Sequence, residues 1–169
     1  NCVFRNMAND ISGNNLSDHS TIYVGTKNTR VENNRLYATE TALDENMAGI
    51  EIHSPGCFAE KNVVENYRNG IFVASDHAYG GVSAWVRDNV LRTGTLGIAI
   101  WGIGNYFDLI EISGNDIEVD FDSPSDGYEY GILHGVDSGT IWNPTLQDPT
   151  KELIIKDNRI AFAGSDIEN

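Results

Sequence analysis

Short apolar runs separated by polar turns fill this chain, and inside them one polar residue returns at regular intervals. The unit is an apolar residue, two free positions, Asn, one free position and a second apolar residue. Ile112-Ser113-Gly114-Asn115-Asp116-Ile117 shows it most plainly. Val31 to Leu36, Val86 to Leu91 and Ile155 to Ile160 repeat it, and Val3 to Ala8 and Ala59 to Val64 are weaker copies. The Asn residues stand at 6, 34, 62, 89, 115 and 158. Successive spacings of 28, 28, 27, 26 and 43 residues lie in the range of stacked-repeat architectures, apart from the last.

A second element accompanies each Asn unit. It is a short run with period-2 alternation, usually opened by Gly: Thr21-Ile22-Tyr23-Val24, Gly49-Ile50-Glu51-Ile52, Gly70-Ile71-Phe72-Val73, Gly97-Ile98-Ala99-Ile100 and Gly131-Ile132-Leu133-His134. Alternate positions of a strand face opposite ways. Ile22 and Val24, Ile50 and Ile52, Ile71 and Val73, and Ile98 and Ile100 are therefore expected to point inward. Ile and Val suit strands, and the Gly, Asn, Asp and Ser between them form turns. No apolar stripe of helical period is long enough for a helix.

Stacking such repeats sets like strands side by side in parallel, about 4.8 Å apart. Each inward Asn then lies over the next, and its amide can bond its neighbours in a ladder, which is how a buried polar group becomes tolerable. The same register places Cys57 inward, in a column with Ala84, Ile110 and Leu153, and Cys2 outward. Two repeats apart is about 10 Å, beyond the roughly 7 Å Cα limit of a disulfide, so the two cysteines are not expected to bond each other. The long last interval places an inserted, projecting loop at about 120–150, which holds Pro124, Pro144 and Pro149.

Charge narrows the partners. A formal net charge of -14 and a pI near 4.4 repel nucleic acid, anionic membrane surfaces and polyanionic glycans not bridged by a cation. No apolar run reaches the roughly 18 residues of a membrane span. The chain opens on Asn1 with a repeat already under way by Val3, and no capping segment follows the last repeat. Stacked repeats need caps, so the expectation is an internal piece of a longer chain.

The Asn ladder and Gly-Ile strands resemble the right-handed parallel β-helix of the pectin-lyase-like superfamily over nearly the whole chain, from Val3 to Ile160. The resemblance implies an all-β fold: one right-handed parallel β-helix segment over 1–169, of about six coils. That superfamily includes polysaccharide lyases and hydrolases, uronan epimerases and phage tailspikes. It therefore implies polysaccharide as partner and an extracellular or virion-surface location, and its tailspike members imply a homotrimer. A leucine-rich repeat is the rival fold, because Ile110, Ile112, Asn115 and Ile117 fit its core. Against it, Leu is scarce and a second strand stands where that family has a helix. The superfamily's catalytic signatures are absent: no Asn-Thr-Asp, no Asp-Pro-His-Glu, and only Leu133-His134-Gly135 as a fragment of Gly-His-Gly. No family's catalytic residues carry onto this chain.

The outward positions of the Gly-Ile strands supply the candidate chemistry. One column is Tyr23, Glu51, Phe72, Ala99, Leu133; the next is Gly25, His53, Ala74, Trp101. Glu51, between Tyr23 and Phe72, is expected in an apolar setting that suits a proton donor. His53 lies two residues along, and Asp76 is expected within its reach. Glu51, His53 and Asp76 are thus the candidate acid/base set, and Tyr23, Phe72 and Trp101 the candidate sugar-binding residues. The competing reading makes these residues plain surface or a subunit interface. No cofactor and no metal site are expected, since the four histidines lack zinc spacing. The acidic stretch from Asp120 to Gly127 resembles a calcium loop. It has two extra residues and no closing Glu, which leaves calcium a secondary reading. The function expected is polysaccharide binding and cleavage; the alternative is a non-catalytic receptor-binding or structural shaft.

Overall fold

The computed structural model describes residues 2–5, 19–38, 47–74, 82–101, 107–120, 130–134 and 152–163. Among them are fourteen strands and no helix: β1 (Val3–Arg5), β2 (His19–Val24), β3 (Arg30–Glu32), β4 (Arg35–Tyr37), β5 (Met47–Ile52), β6 (Cys57–Glu60), β7 (Val63–Ala74), β8 (Val82–Arg87), β9 (Val90–Trp101), β10 (Phe107–Ser113), β11 (Asp116–Asp120), β12 (Tyr130–His134), β13 (Glu152–Lys156) and β14 (Arg159–Ala163). Every strand pair is parallel. The chain is all-β, compatible with a parallel β-helix. The helices a leucine-rich repeat requires are absent among the described residues.

The strands form two sheets. One has five strands in the order β13-β10-β8-β6-β3. The other has nine and is two ladders joined by long strands. Its first ladder, β1-β4-β7-β9-β11-β14, follows the Asn units. Its second, built from β2, β5, β7, β9 and β12, carries the Gly-Ile segments. Strands β7 and β9 run through both ladders, 12 residues each.

The turn between the two sheets carries the Asn ladder. The backbone N–H and side-chain Nδ2 of Asn34 both donate to Oδ1 of Asn62, at 3.0 and 3.2 Å. Asn62 does the same to Asn89, Asn89 to Asn115, and Asn115 to Asn158. The second Nδ2 hydrogen goes to a carbonyl of the preceding repeat: Val31 for Asn62, Ala59 for Asn89, Val86 for Asn115 and Ile112 for Asn158. Each interior amide is therefore fully bonded, which is why it survives inside an apolar core. Asn6, the first expected member, lies outside the described residues.

The residue just before each ladder Asn is left-handed: Asn33, Lys61, Asp88, Gly114 and Asp157 have φ of 58, 55, 53, 66 and 56°. Asn, Asp and Gly adopt that conformation at least cost. Lys61 is the exception, exposed and held by its N–H to the carbonyl of Arg87.

The core lies between the sheets. Ile50, Ile52, Ile71, Val73, Ile98 and Ile100 are buried as expected, with Val24; Ile22 is partly buried against them. Leu36, Val64, Leu91 and Ile117 oppose them from the ladder after the Asn turn. Tyr67 joins this core through an irregularity. A register shift in β7 around Asn66, itself at φ 63°, adds a residue and turns Tyr67 inward. Its hydroxyl bonds Thr21 Oγ1 at 2.7 Å. Burial pushes the Tyr67 phenol up, and that hydrogen bond partly offsets it.

Both cysteines are free, Cys57 buried and Cys2 exposed, as the register requires. Cys57, Ala84, Ile110 and Leu153 pair in one column. Of the loop expected at about 120–150, residues 130–134 form β12, which pairs with β9; the rest, apart from Asp120, lies outside the described residues.

Candidate functional site

The outward column of the Gly-Ile ladder falls in the expected register: Tyr23 pairs with Glu51, Glu51 with Phe72, Phe72 with Ala99, and Ala99 with Leu133. Two residues beyond the Phe72–Ala99 pair, Ala74 pairs with Trp101. Tyr23, Glu51 and Phe72 thus stand on three adjacent strands, and Trp101 ends a fourth. Asp76 lies outside the described residues.

Exposure is uneven along this column. Tyr23 is 58% exposed, but Glu51 is only 7% exposed and Ala99 is fully buried. Ala99 is small and is flanked by Phe72 and Leu133 on its neighbour strands. Glu51 is covered by its own chain. It and His53 are two residues apart on one face of the extended backbone, and His53 Nε2 meets Glu51 Oε1 at 2.6 Å. The backbone N–H of His53 donates to the Val24 carbonyl at 2.9 Å, which ties the chain at His53 to β2. The Tyr23 ring lies against the imidazole, centroids 4.8 Å apart and planes tilted by 31°.

The setting of Glu51 is therefore not purely apolar. Aromatic side chains flank it across the strands, and an imidazole closes its open side. A buried carboxylate bonded to imidazole is an arrangement able to hold and move a proton. The exposed Tyr23 ring beside it offers an apolar surface with a hydroxyl, the combination that binds a molecule with both kinds of face.

A second cluster, which the sequence reading missed, occupies the outer face of the five-stranded sheet. Phe58 and Trp85 stack at 4.5 Å and 11°, and the Arg30 guanidinium sits 4.2 Å from the Phe58 ring. Glu60 receives Arg30 at 2.6 Å and Arg87 at 3.7 Å. Arg87 also pairs with Glu111, which Lys156 reaches at 3.3 Å and the Ser113 hydroxyl at 2.9 Å. The Arg87 guanidinium, with help from Ser113 and Lys156, holds the Glu111 carboxyl down at about 2 against the desolvation that would raise it. A signal for this cluster was present. Arg30, Phe58, Trp85 and Glu111 each stand four residues before a ladder Asn, and Glu60, Arg87 and Lys156 stand two before.

A small cleft of about 120 Å³ lies on the sheet beyond the Asn turn, lined by Asn66, Arg92, Thr93, Glu118, Asp120 and Ala163. Its guanidinium is already engaged, at 2.9 Å by Asp116 and 3.3 Å by Glu118. Among the described residues no three His, Cys, Asp or Glu side chains converge to hold a metal ion. Apart from Asp120, the acidic stretch to Gly127 lies outside the described residues.

No family model matches the sequence, and no curated protein matches it.

Proposed function

We propose that this chain forms a right-handed parallel β-helix of the pectin-lyase-like kind and that its Gly-Ile face binds and cleaves polysaccharide. The observation that carries the reading is the 2.6 Å contact between the buried Glu51 carboxylate and His53, set beside the exposed ring of Tyr23. The pair supplies proton transfer to a glycosidic oxygen, and Tyr23 and Phe72 offer surfaces on neighbouring strands for successive sugar rings, with Trp101, at the end of β9, the third candidate sugar-binding residue. The acidic charge favours a neutral or cation-bridged glycan over a bare polyuronate. An extracellular or virion-surface protein, assembled as a homotrimer, belongs to the same reading.

The experiment is a panel of neutral and acidic polysaccharides incubated with the full chain, reducing ends and unsaturated products being measured. Release from a neutral glycan, lost in Glu51→Gln while binding to that glycan persists, is the expected result. Unchanged turnover in that variant ends any role of Glu51 in cleavage.

The alternative is a non-catalytic shaft. The self-satisfied face of Arg30, Phe58, Trp85, Arg87 and Glu111 favours it, because charges paired within the chain suit a structural surface. Binding without product from any glycan would establish that alternative.

A further inference from the structure

We infer that Glu51 is a positioning residue and that Nδ1 of His53 is the atom that exchanges a proton with the substrate. The inference rests on the cleavage reading for its catalytic half; its geometric half stands alone. Of the two side chains Glu51 is the more enclosed, 9% exposed against 18% for His53. Its Oε1 is capped by His53 Nε2 at 2.6 Å. A sugar ring seated on Tyr23 meets the imidazole before it meets the carboxylate, because the Tyr23 and His53 rings are already in contact.

Three constraints orient that imidazole. The backbone of His53 is fixed by its bond to Val24, one ring face lies against Tyr23, and Nε2 is held by Glu51. Whichever partner formally carries it, one proton lies between Nε2 and Oε1. The nitrogen left for chemistry is Nδ1. Glu51 then acts through His53, fixing tautomer and ring orientation as a carboxylate does for a neighbouring imidazole. In the step itself, the doubly protonated imidazole gives its Nδ1 proton to the leaving glycosidic oxygen as the bond from that oxygen to the sugar carbon breaks, and is left as the neutral Nε2–H tautomer. Water adds its hydroxyl to that carbon, and its remaining proton restores Nδ1–H. Atoms and charge balance with water as the sole co-reactant.

The test has a spectroscopic arm and a kinetic arm. In the full chain labelled with 15N-histidine, long-range proton–nitrogen correlations should show neutral His53 as the Nε2–H tautomer. Glu51→Gln should mix the tautomers, since a carboxamide can both donate and accept, and Glu51→Asp should restore part of the wild-type signature. On the glycan that the wild type cleaves, Glu51→Gln should lower kcat by about 10²–10⁴-fold with KM nearly unchanged. His53→Gln should lose at least as much, and the double variant no more than His53→Gln alone, because the two act as one unit. An Nδ1–H tautomer in the wild type, or additive losses in the double variant, would overturn the inference. Failure of the wild type to cleave any glycan would overturn the catalytic half together with the cleavage reading, while the tautomer would still decide the positioning half.

Discussion

Asn89 shows how much one side chain can carry in this fold. Its Oδ1 accepts both the N–H and the Nδ2 of Asn62, and its own Nδ2 donates to Ala59 and Asn115. Replacing it with Leu removes those four bonds and strands buried donors on Asn62 and an acceptor on Ala59. At about 1–3 kcal/mol for each of these three orphaned groups, Asn89→Leu should destabilise by about 3–9 kcal/mol, measured by urea unfolding. Asn34→Leu should cost clearly less, because Asn34 is only part-buried and its Oδ1 receives the N–H of the exposed Cys2. Equal losses at the two positions would contradict the ladder as the source of stability. The ladder was legible in the sequence because a polar residue fixed inside an apolar pattern has few ways to be satisfied other than by its own kind. The left-handed residue before it was less legible. Asn33, Asp88, Gly114 and Asp157 hint at it, but Lys61 occupies the same conformation and breaks the compositional signal.

The Gly-Ile strands show at the level of elements what period-2 reasoning can and cannot reach. Alternation assigned the inward Ile and Val residues correctly, since a one-residue slip would expose the whole apolar set. It did not explain the opening Gly. None of Gly49, Gly70, Gly97 and Gly131 has a positive φ. They are small because the chain is crowded there: a Cβ on Gly97 would lie 2.4 Å from Ile117 Cγ2 and 2.5 Å from the Gly131 carbonyl oxygen. Gly70 faces the Gly97 carbonyl at 2.4 Å in the same way. Gly97→Ala must therefore push backbone as well as side chain, and should destabilise by about 1–3 kcal/mol in thermal or urea unfolding. Gly25→Ala is the control, because its nearest obstacle is the exposed Tyr23 ring, which can swing aside. A Gly97→Ala protein as stable as wild type would show that the strands can separate where the structure packs them. Tyr67 escaped the alternation for a related reason. The bulge at Asn66 inserts a residue that no hydropathy pattern marks, and every side chain beyond it changes face.

The whole molecule combines a large negative charge with carboxylates paired between repeats. Those pairs, like the Phe58–Trp85 stack, join residues more than twenty positions apart, so they emerge from the sequence only once each repeat is aligned on its Asn. The Glu51–His53 pair was half legible: two positions apart on a strand share a face, but alternation alone does not say that they bond. Glu111 bridges three repeats through Arg87 and Lys156, and Asp116 bridges three through Arg92 at 2.9 Å and Arg159 at 2.6 Å. Arg87 first, then Ser113 and Lys156, lowers the Glu111 carboxyl from 4.5 to about 2; Arg92 and Arg159 lower that of Asp116 from 3.8. Both carboxyls are more acidic folded than unfolded. The stability they confer is complete above the unfolded values and disappears as pH falls through the folded ones. The urea midpoint should therefore hold from neutrality down to about pH 5, then decline steadily between about 4.5 and 2. Arg87→Gln separates this linkage from general charge effects. It should lower the midpoint at neutral pH, where Glu111 loses its principal partner, and flatten the decline in acid, because the Glu111 carboxyl returns toward its ordinary range. Carbon-detected NMR titration of Glu111 in the two proteins gives the same comparison at one atom. Wild-type and variant midpoints that fall in parallel with pH would mean that Arg87 is not what holds Glu111 ionised, and that the pairing across repeats does not set the acid limit of the fold.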